Sequence, residues 1–243
     1  MPDAVMLAAT LTAGAAASLV WGRALWWVDE RSATFRRAVF FALGHSRRRT
    51  TEVRSLLLSA IYLALALLLS LALAVAFRIA PASLLRVAPR DAVTTLLGIV
   101  AEISLANLLV DLAARAMRAG PAQFAEIGEI PWIKGIAALP PAAIPVVTIV
   151  AACAEELFYR GVLLRVLIGG LRLEAWTAIA AAAALFSLQQ LVQVRTAFQA
   201  VVIGCGCVAS SLVGGLLAIV TGSAVPALLA HASFVVFFVR PKP

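Results

Sequence analysis

Long apolar runs alternate along the chain with short basic or proline-bearing connections. A bilayer's hydrocarbon core takes about 20 apolar residues per helix. By that measure the pattern predicts seven spans, over 4–22, 56–77, 92–114, 140–168, 176–194, 198–220 and 225–239. Between the first two lies 23–54, where Arg31, Arg36, Arg37, Arg47, Arg48 and Arg49 are interleaved with Trp26, Trp27, Phe35, Val39, Phe40 and Phe41. That interleaving predicts an amphipathic helix lying on anionic lipid, with His45 a bystander. A nucleic-acid-binding arm is the other reading of such a stretch. The connection after 77 holds Pro81 and Pro89, and 118–134 reads as a polar loop with Pro121, Glu126, Glu129 and Pro131. Pro140 and Pro141 open the fourth span, where a missing N–H costs nothing, and Thr221-Gly222-Ser223 forms a tight turn. The run 4–22 has the hydrophobicity of a signal peptide. Asp3 precedes it and arginines follow it, so it reads as a first span.

Composition supports this pattern. The 243 residues are 63% hydrophobic and 13% charged, with a mean hydropathy of +1.01. Globular domains are nearer 45–50% apolar and about 25% charged. The fold class is therefore all-α: a polytopic integral membrane helix bundle of about seven transmembrane helices plus an amphipathic interfacial helix. Residues 1–139 read as N-terminal membrane helices with the basic segment, and 140–243 as the core that carries chemistry. A net charge of +8 in so apolar a chain indicates orientation, with the basic 23–54 segment on the cytoplasmic side. The first terminus then lies outside and the last, with Arg240 and Lys242, inside, although Arg165 and Arg172 fit this count poorly. The bilayer is the expected partner, and nucleic acid is not. Cys153, Cys205 and Cys207 lie in apolar stretches with neither a C-x-x-C spacing nor a paired framework, so no disulfide or zinc site is expected.

Ionisable residues inside spans are costly and point to function. The third span carries Glu102, Asn107 and Asp111. Asp111 stands four residues before Arg115, which predicts a local ion pair; Glu102 has no local partner and is expected to face the bundle interior. The segment 151–161 reads A-A-C-A-E-E-L-F-Y-R-G. Glu156 and Arg160, four apart, share a helix face and can neutralise each other. Glu155 points roughly 100° away and is left for chemistry. Cys153, one turn before Glu156, needs no role beyond a small buried side chain. The fifth span ends in Gln189, Gln190 and Gln193, and the seventh carries His231. Gly204, Gly206, Gly214 and Gly215 in the sixth read as close-packing positions. If the late helices are neighbours, Glu155, Gln190 and His231 converge. A carboxylate and a histidine in a desolvated pocket suit general-base chemistry. A metal site is the competing reading, and Glu155 with His231 supplies few ligands for a closed zinc centre.

At this point the sequence resembles a known family. Glu155-Glu156-Leu157-Phe158-Tyr159-Arg160-Gly161 is similar to the first motif, E-E-x-x-x-R, of the CPBP family, the intramembrane glutamic proteases related to type II CAAX prenyl endopeptidases and to bacteriocin-processing and self-immunity proteins. The run from Gly215 through Gly222 and Pro226 to His231 resembles the third motif. The resemblance covers roughly 140 to the end of the chain. It implies that Glu155 activates a water, that Glu156 and Arg160 brace the site or bind the substrate main chain, and that His231 stabilises an oxyanion. The second motif is F-x-x-x-H, and here Phe186 is followed by Gln190 at the histidine position. The third continues H-x-x-x-N, and Val235 holds the asparagine position. Phe186 and Val235 are the implied substrate-side positions. Gln190 can orient a water but cannot accept a proton at neutral pH. A lost oxyanion donor costs about 10²–10³ in rate and lost general-base assistance about 10²–10⁴.

The expected function is an intramembrane endopeptidase cutting near the C-terminus of a membrane-inserted or lipidated protein, such as a sorting tag or prepeptide, in a bacterial cytoplasmic (inner) membrane. No metal or cofactor is expected. The expected partners are a membrane-protein or lipoprotein substrate and the lipid bilayer. The alternative is an inactive relative that binds a transmembrane segment or a partner protease.

Overall fold

A computed structural model describes residues 4–42 and 47–238, with the side chains of 4–9, 24–27, 29, 30, 42, 47–49 and 81 outside the description. His45, Arg240 and Lys242 lie outside the described residues, as do the side chains of Trp26, Trp27 and Arg47 to Arg49. The described chain is all helical. In order run α1 (Ala4–Arg31), α2 (Ala33–Ala42), α3 (Arg47–Ala76), α4 (Pro81–Leu84), α5 (Ala92–Ala116), α6 (Pro121–Ile127), α7 (Pro131–Ala137), α8 (Ala143–Glu156), α9 (Ala175–Leu191), α10 (Ala197–Thr221) and α11 (Val225–Phe238). Among the described residues three helices are long and apolar enough to cross a membrane: Thr50–Ala76, Pro89–Ala116 and Ala197–Thr221. Ala175–Leu191 and Val225–Phe238 are shorter apolar helices. Leu67, Leu68, Leu71 and Val75 on α3, and Val93, Leu96, Leu97 and Val100 on α5, turn outward. In water such faces would be a liability; against acyl chains they are the expected exterior. The chain is an integral membrane protein.

Three expectations change in detail. The basic stretch 23–54 is divided among the end of α1, the whole of α2 and the start of α3 rather than forming one helix. The polar loop 118–134 holds two short helices, α6 and α7, each with proline at its first turn, where the fixed φ favours helix and the lost N–H is unneeded. The fourth span is not one α-helix. It is α-helical from Ala143 to Glu156, then widens into π turns over Leu157–Leu163 and Val166–Gly170. Single π turns inside α-helices are rare and often sit at functional sites; this one begins directly after the paired glutamates.

Helix ends follow ordinary chemistry. Arg78, Arg118 and Arg172 each adopt positive φ just past a helical segment. The next residue's N–H reaches back into the preceding helical turn in each case, as from Ile79 to the Ala74 carbonyl at 2.8 Å and from Ala119 to Ala114 at 2.8 Å. The left-handed cap costs a non-glycine residue some strain, and the cation gains from the negative end of the helix dipole. Gly222, at φ 65°, closes α10 without that strain. The turn it makes is tied to the segment after α4 and to the fourth span: Arg86 donates to the Thr221 carbonyl (2.8 Å), Ser223 Oγ to the Arg86 carbonyl (2.6 Å), and Arg165, between the two π segments, to the Gly222 carbonyl (2.8 Å).

The core centres on the π segment. Trp21 of α1, Tyr62 of α3, and Phe158 and Tyr159 pack ring against ring, with centroids 4.8–5.9 Å apart. Tyr159 further meets Phe186 of α9 at 5.1 Å. Around this centre α5, α10 and α11 pack together, α11 lies against α8, and α9 against α10. Acidic, amide and imidazole side chains from four helices, α5, α8, α9 and α11, are thereby directed to one interior region.

Candidate active site

Glu156 and Arg160 occupy one side of that region. Arg160 Nη1 lies 2.8 Å from Glu156 Oε1, and both side chains are almost wholly buried. Arg160 Nη2 donates to Ser211 Oγ (2.9 Å) and Ser210 Oγ (3.4 Å) of α10. The guanidinium carbon stands 4.6 Å from the Phe186 ring centroid. That face carries the ring's negative quadrupole lobe and adds attraction for the cation. A Cβ at Gly214 would meet Glu156 Oε2 at 3.1 Å, so glycine lets α10 approach the carboxylate. At Gly215 the neighbour is Ile179, 2.9 Å from the same virtual atom, whereas Gly204 faces no atom within 4 Å. Close packing therefore explains Gly214 and Gly215 but not Gly204.

Glu155 faces the other way. Its Oε1 accepts from the Tyr62 hydroxyl and from Gln190 Nε2 at 2.8 Å, and its Oε2 lies 3.4 Å from His231 Nε2. Gln189 Nε2 donates to Tyr62 Oη at 2.8 Å. The Glu155 side chain keeps 10% of its surface open, against none for Glu156. Side chains of α3, α8, α9 and α11 thus converge on one carboxylate.

His231 joins the two sides. Its Nδ1 lies 3.0 Å from Glu102 Oε1 and 2.7 Å from Ser210 Oγ. Its ring stacks on Phe234 (5.7 Å) and meets Phe186 edge-on (6.1 Å). Glu102 is fully buried on α5, and no hydrogen bond reaches its Oε2. Val235, one turn beyond His231, is half-buried and brings no polar group. Cys153 is half-buried on α8. Among the described residues no three His, Cys, Asp or Glu side chains are arranged to hold a metal ion.

Of the residues singled out from sequence, Glu155, Gln190 and His231 come together around one carboxylate. Glu156, Arg160 and Phe186 form the adjoining buried side. Tyr62 was missed, in a span that reads as featureless leucine; it is one of only two tyrosines in the chain, and a phenol in mid-span was the available signal. Ser210 and Ser211 were missed among glycines and small residues that suggest only packing.

Comparison with known proteins bears on the same segment. Residues 137–237 match the family model described as Type II CAAX prenyl endopeptidase Rce1-like. Over this segment the chain is similar to that family. The match spans α8 to α11 with the intervening π turns, and so covers Glu155, Glu156, Arg160, Phe186, Gln190, His231 and Val235; Tyr62 and Glu102 stand outside it. No curated protein and no solved structure matches the chain.

Proposed function

We propose that this protein is an intramembrane endopeptidase of the glutamic type, with 140–243 as its catalytic core. The observation that carries the reading is the division of labour between adjacent glutamates. Glu156 is neutralised by Arg160 in a closed compartment, while Glu155 remains slightly open and faces an amide, a phenol and an imidazole. In the proposed reaction Glu155 holds a water and draws off a proton as the water oxygen bonds to the substrate's carbonyl carbon. The carbonyl electron pair moves onto its oxygen. When that pair returns, the C–N bond breaks, and the nitrogen takes the proton, giving a carboxylate-bearing product and an amine. Gln190 orients Glu155 through its amide hydrogen, and Glu156 with Arg160 keeps α8 and α10 in register. The likeness of 137–237 to that family supports a substrate cut near the C-terminus of a membrane-inserted or lipidated protein, including sorting tags and prepeptides, in a bacterial cytoplasmic membrane.

A second reading is favoured by one specific observation. The Gln190 amide already donates to Glu155, and neither Gln190 nor Val235 can take up a proton. A non-catalytic relative would keep the pocket to bind a transmembrane segment or a partner protease. The test compares C-terminal peptides of membrane proteins by mass spectrometry in a deletion strain, with wild type restored and with Glu155→Ala restored at equal abundance. Processed termini that return with wild type but not with Glu155→Ala establish glutamate-dependent proteolysis and name the substrate. Processing restored by both variants, or unchanged throughout, favours the binding protein.

A further inference from the structure

We propose that Glu102 is a positioning residue that holds the Nδ1 proton of His231, so that Nε2, facing Glu155, becomes the site's second acid–base atom in place of the base that position 190 lacks. This rests on the protease reading and deepens it.

The argument begins with acceptors. An ionised carboxylate accepts hydrogen bonds and offers none. Glu102 Oε1 lies 3.0 Å from His231 Nδ1. Ser210 Oγ, 2.7 Å from the same nitrogen, can accept or donate there, and it also lies within reach of Arg160 and Glu156. The carboxylate can only accept, so Nδ1 carries the hydrogen. That leaves Nε2 as the exchangeable nitrogen, 3.4 Å from Glu155 Oε2.

Charge distribution points the same way. Arg160 is committed to Glu156. Glu102 is fully buried on α5, and the ring of His231 is its one polar contact among the described residues. A buried carboxylate against one imidazole nitrogen, with the other nitrogen at the reacting group, fixes tautomer and orientation and stabilises the imidazolium that forms. The proton that Glu155 draws from water moves on to Nε2 of His231, and from there to the leaving nitrogen. Gln190, which could not take that proton, is left to orient Glu155.

The test uses the full-length protein in lipid vesicles, labelled with ¹⁵N at histidine alone. The sequence has two histidines, His45 and His231, so a His45→Gln background leaves a single ring to observe. Wild type should carry a proton on Nδ1. Glu102→Gln, nearly isosteric but uncharged, should remove that proton or shift its signal, and Glu102→Asp should restore it. In cells, at equal abundance, Glu102→Gln should lower processing of C-terminal peptides at least ~100-fold, with Glu102→Asp recovering most of it. An Nδ1 without a proton in wild type overturns the proposal, and this reading stands even if Glu102→Gln does not fold. A spectrum unchanged by Glu102→Gln overturns it too. So does undiminished processing by Glu102→Gln in cells where Glu155→Ala abolishes it; in that case the protease reading survives. Processing that persists with Glu155→Ala removes the protease reading, and the role of Glu102 in it, together.

Discussion

Glu155 and Glu156 are chemically identical neighbours with opposite surroundings. Glu156 sits in a sealed compartment with Arg160, Ser210 and the virtual Cβ position of Gly214. Glu155 meets Tyr62, Gln190 and His231 and retains an opening. One residue of helix, about 100° of rotation, separates a group whose charge is cancelled from a group whose charge remains to be used. The two carboxylates should therefore fail differently when removed.

Glu156→Ala carries the largest expected effect on stability. It leaves the Arg160 guanidinium buried with hydroxyl and ring partners but no counter-charge paired to it, and breaking a buried pair from one side costs roughly 3–5 kcal/mol. Thermal unfolding in detergent should show a large fall or loss of the folded protein. Glu155→Gln should leave unfolding nearly unchanged while abolishing processed C-termini in cells. If both variants lose stability equally, the two sides are one structural network, and the distinction drawn between them fails.

Gly214→Ala sharpens the comparison by pressing on the sealed side alone. Its Cβ would fall 3.1 Å from Glu156 Oε2, closer than a relaxed contact, and 3.5 Å from Arg160 Nε, an ordinary one. Overpacking of this kind costs about 1–3 kcal/mol. A matched Gly204→Ala, where no atom lies within 4 Å, should be neutral or slightly stabilising, since alanine is the better helix former. Equal melting temperatures for the two variants would mean that α10 does not seat against Glu156 through Gly214.

The same comparison marks what was legible in the sequence. The separation of Glu155 from Glu156 and the Glu156–Arg160 pair follow from helical rotation alone, and both are local. The partners of Glu155 are not. Tyr62 stands 93 positions away and Gln190 stands 35, and which helix faces which depends on packing order that periodicity does not encode. Glu102 was visible as a carboxylate without a local partner, but the partner itself, 129 positions away, was not. The π turns had no signal either: L-F-Y-R-G-V-L contains no proline and reads as an uninterrupted apolar helix. For α6 and α7 the signals, Pro121 and Pro131, were present, and polar composition obscured them.

Tyr62→Phe acts on the open side. It deletes one hydroxyl that donates to Glu155 and accepts from Gln189. Gln189 Nε2 then loses its acceptor in a buried setting, with its Oε1 already unpartnered. The expected loss is about 1–2 kcal/mol of stability, with processing lowered through a less well-held Glu155. Stability unchanged by Tyr62→Phe would mean that water replaces the hydroxyl and that the open side is wetter than its 10% exposure implies.

The smallest effect comes from a control with the same spacing and distance as the sealed pair. Asp111 and Arg115 are also four apart on a helix and also 2.8 Å from contact to contact, but their side chains are 54% and 77% exposed. They lie in the last turns of α5, beside the polar segment that begins at Arg118. An exposed pair of this kind contributes about 0–1 kcal/mol, because each ion keeps most of its surroundings when the other is removed. Asp111→Ala should therefore shift the melting temperature little, and raised salt should shrink even that, whereas Glu156→Ala should be insensitive to salt. Spacing and distance are shared between the pairs, so any difference in outcome is due to burial. If Asp111→Ala proves as damaging as Glu156→Ala, the end of α5 is in a low-dielectric setting, and the polar segment after it must lie within the membrane or a partner rather than at its edge.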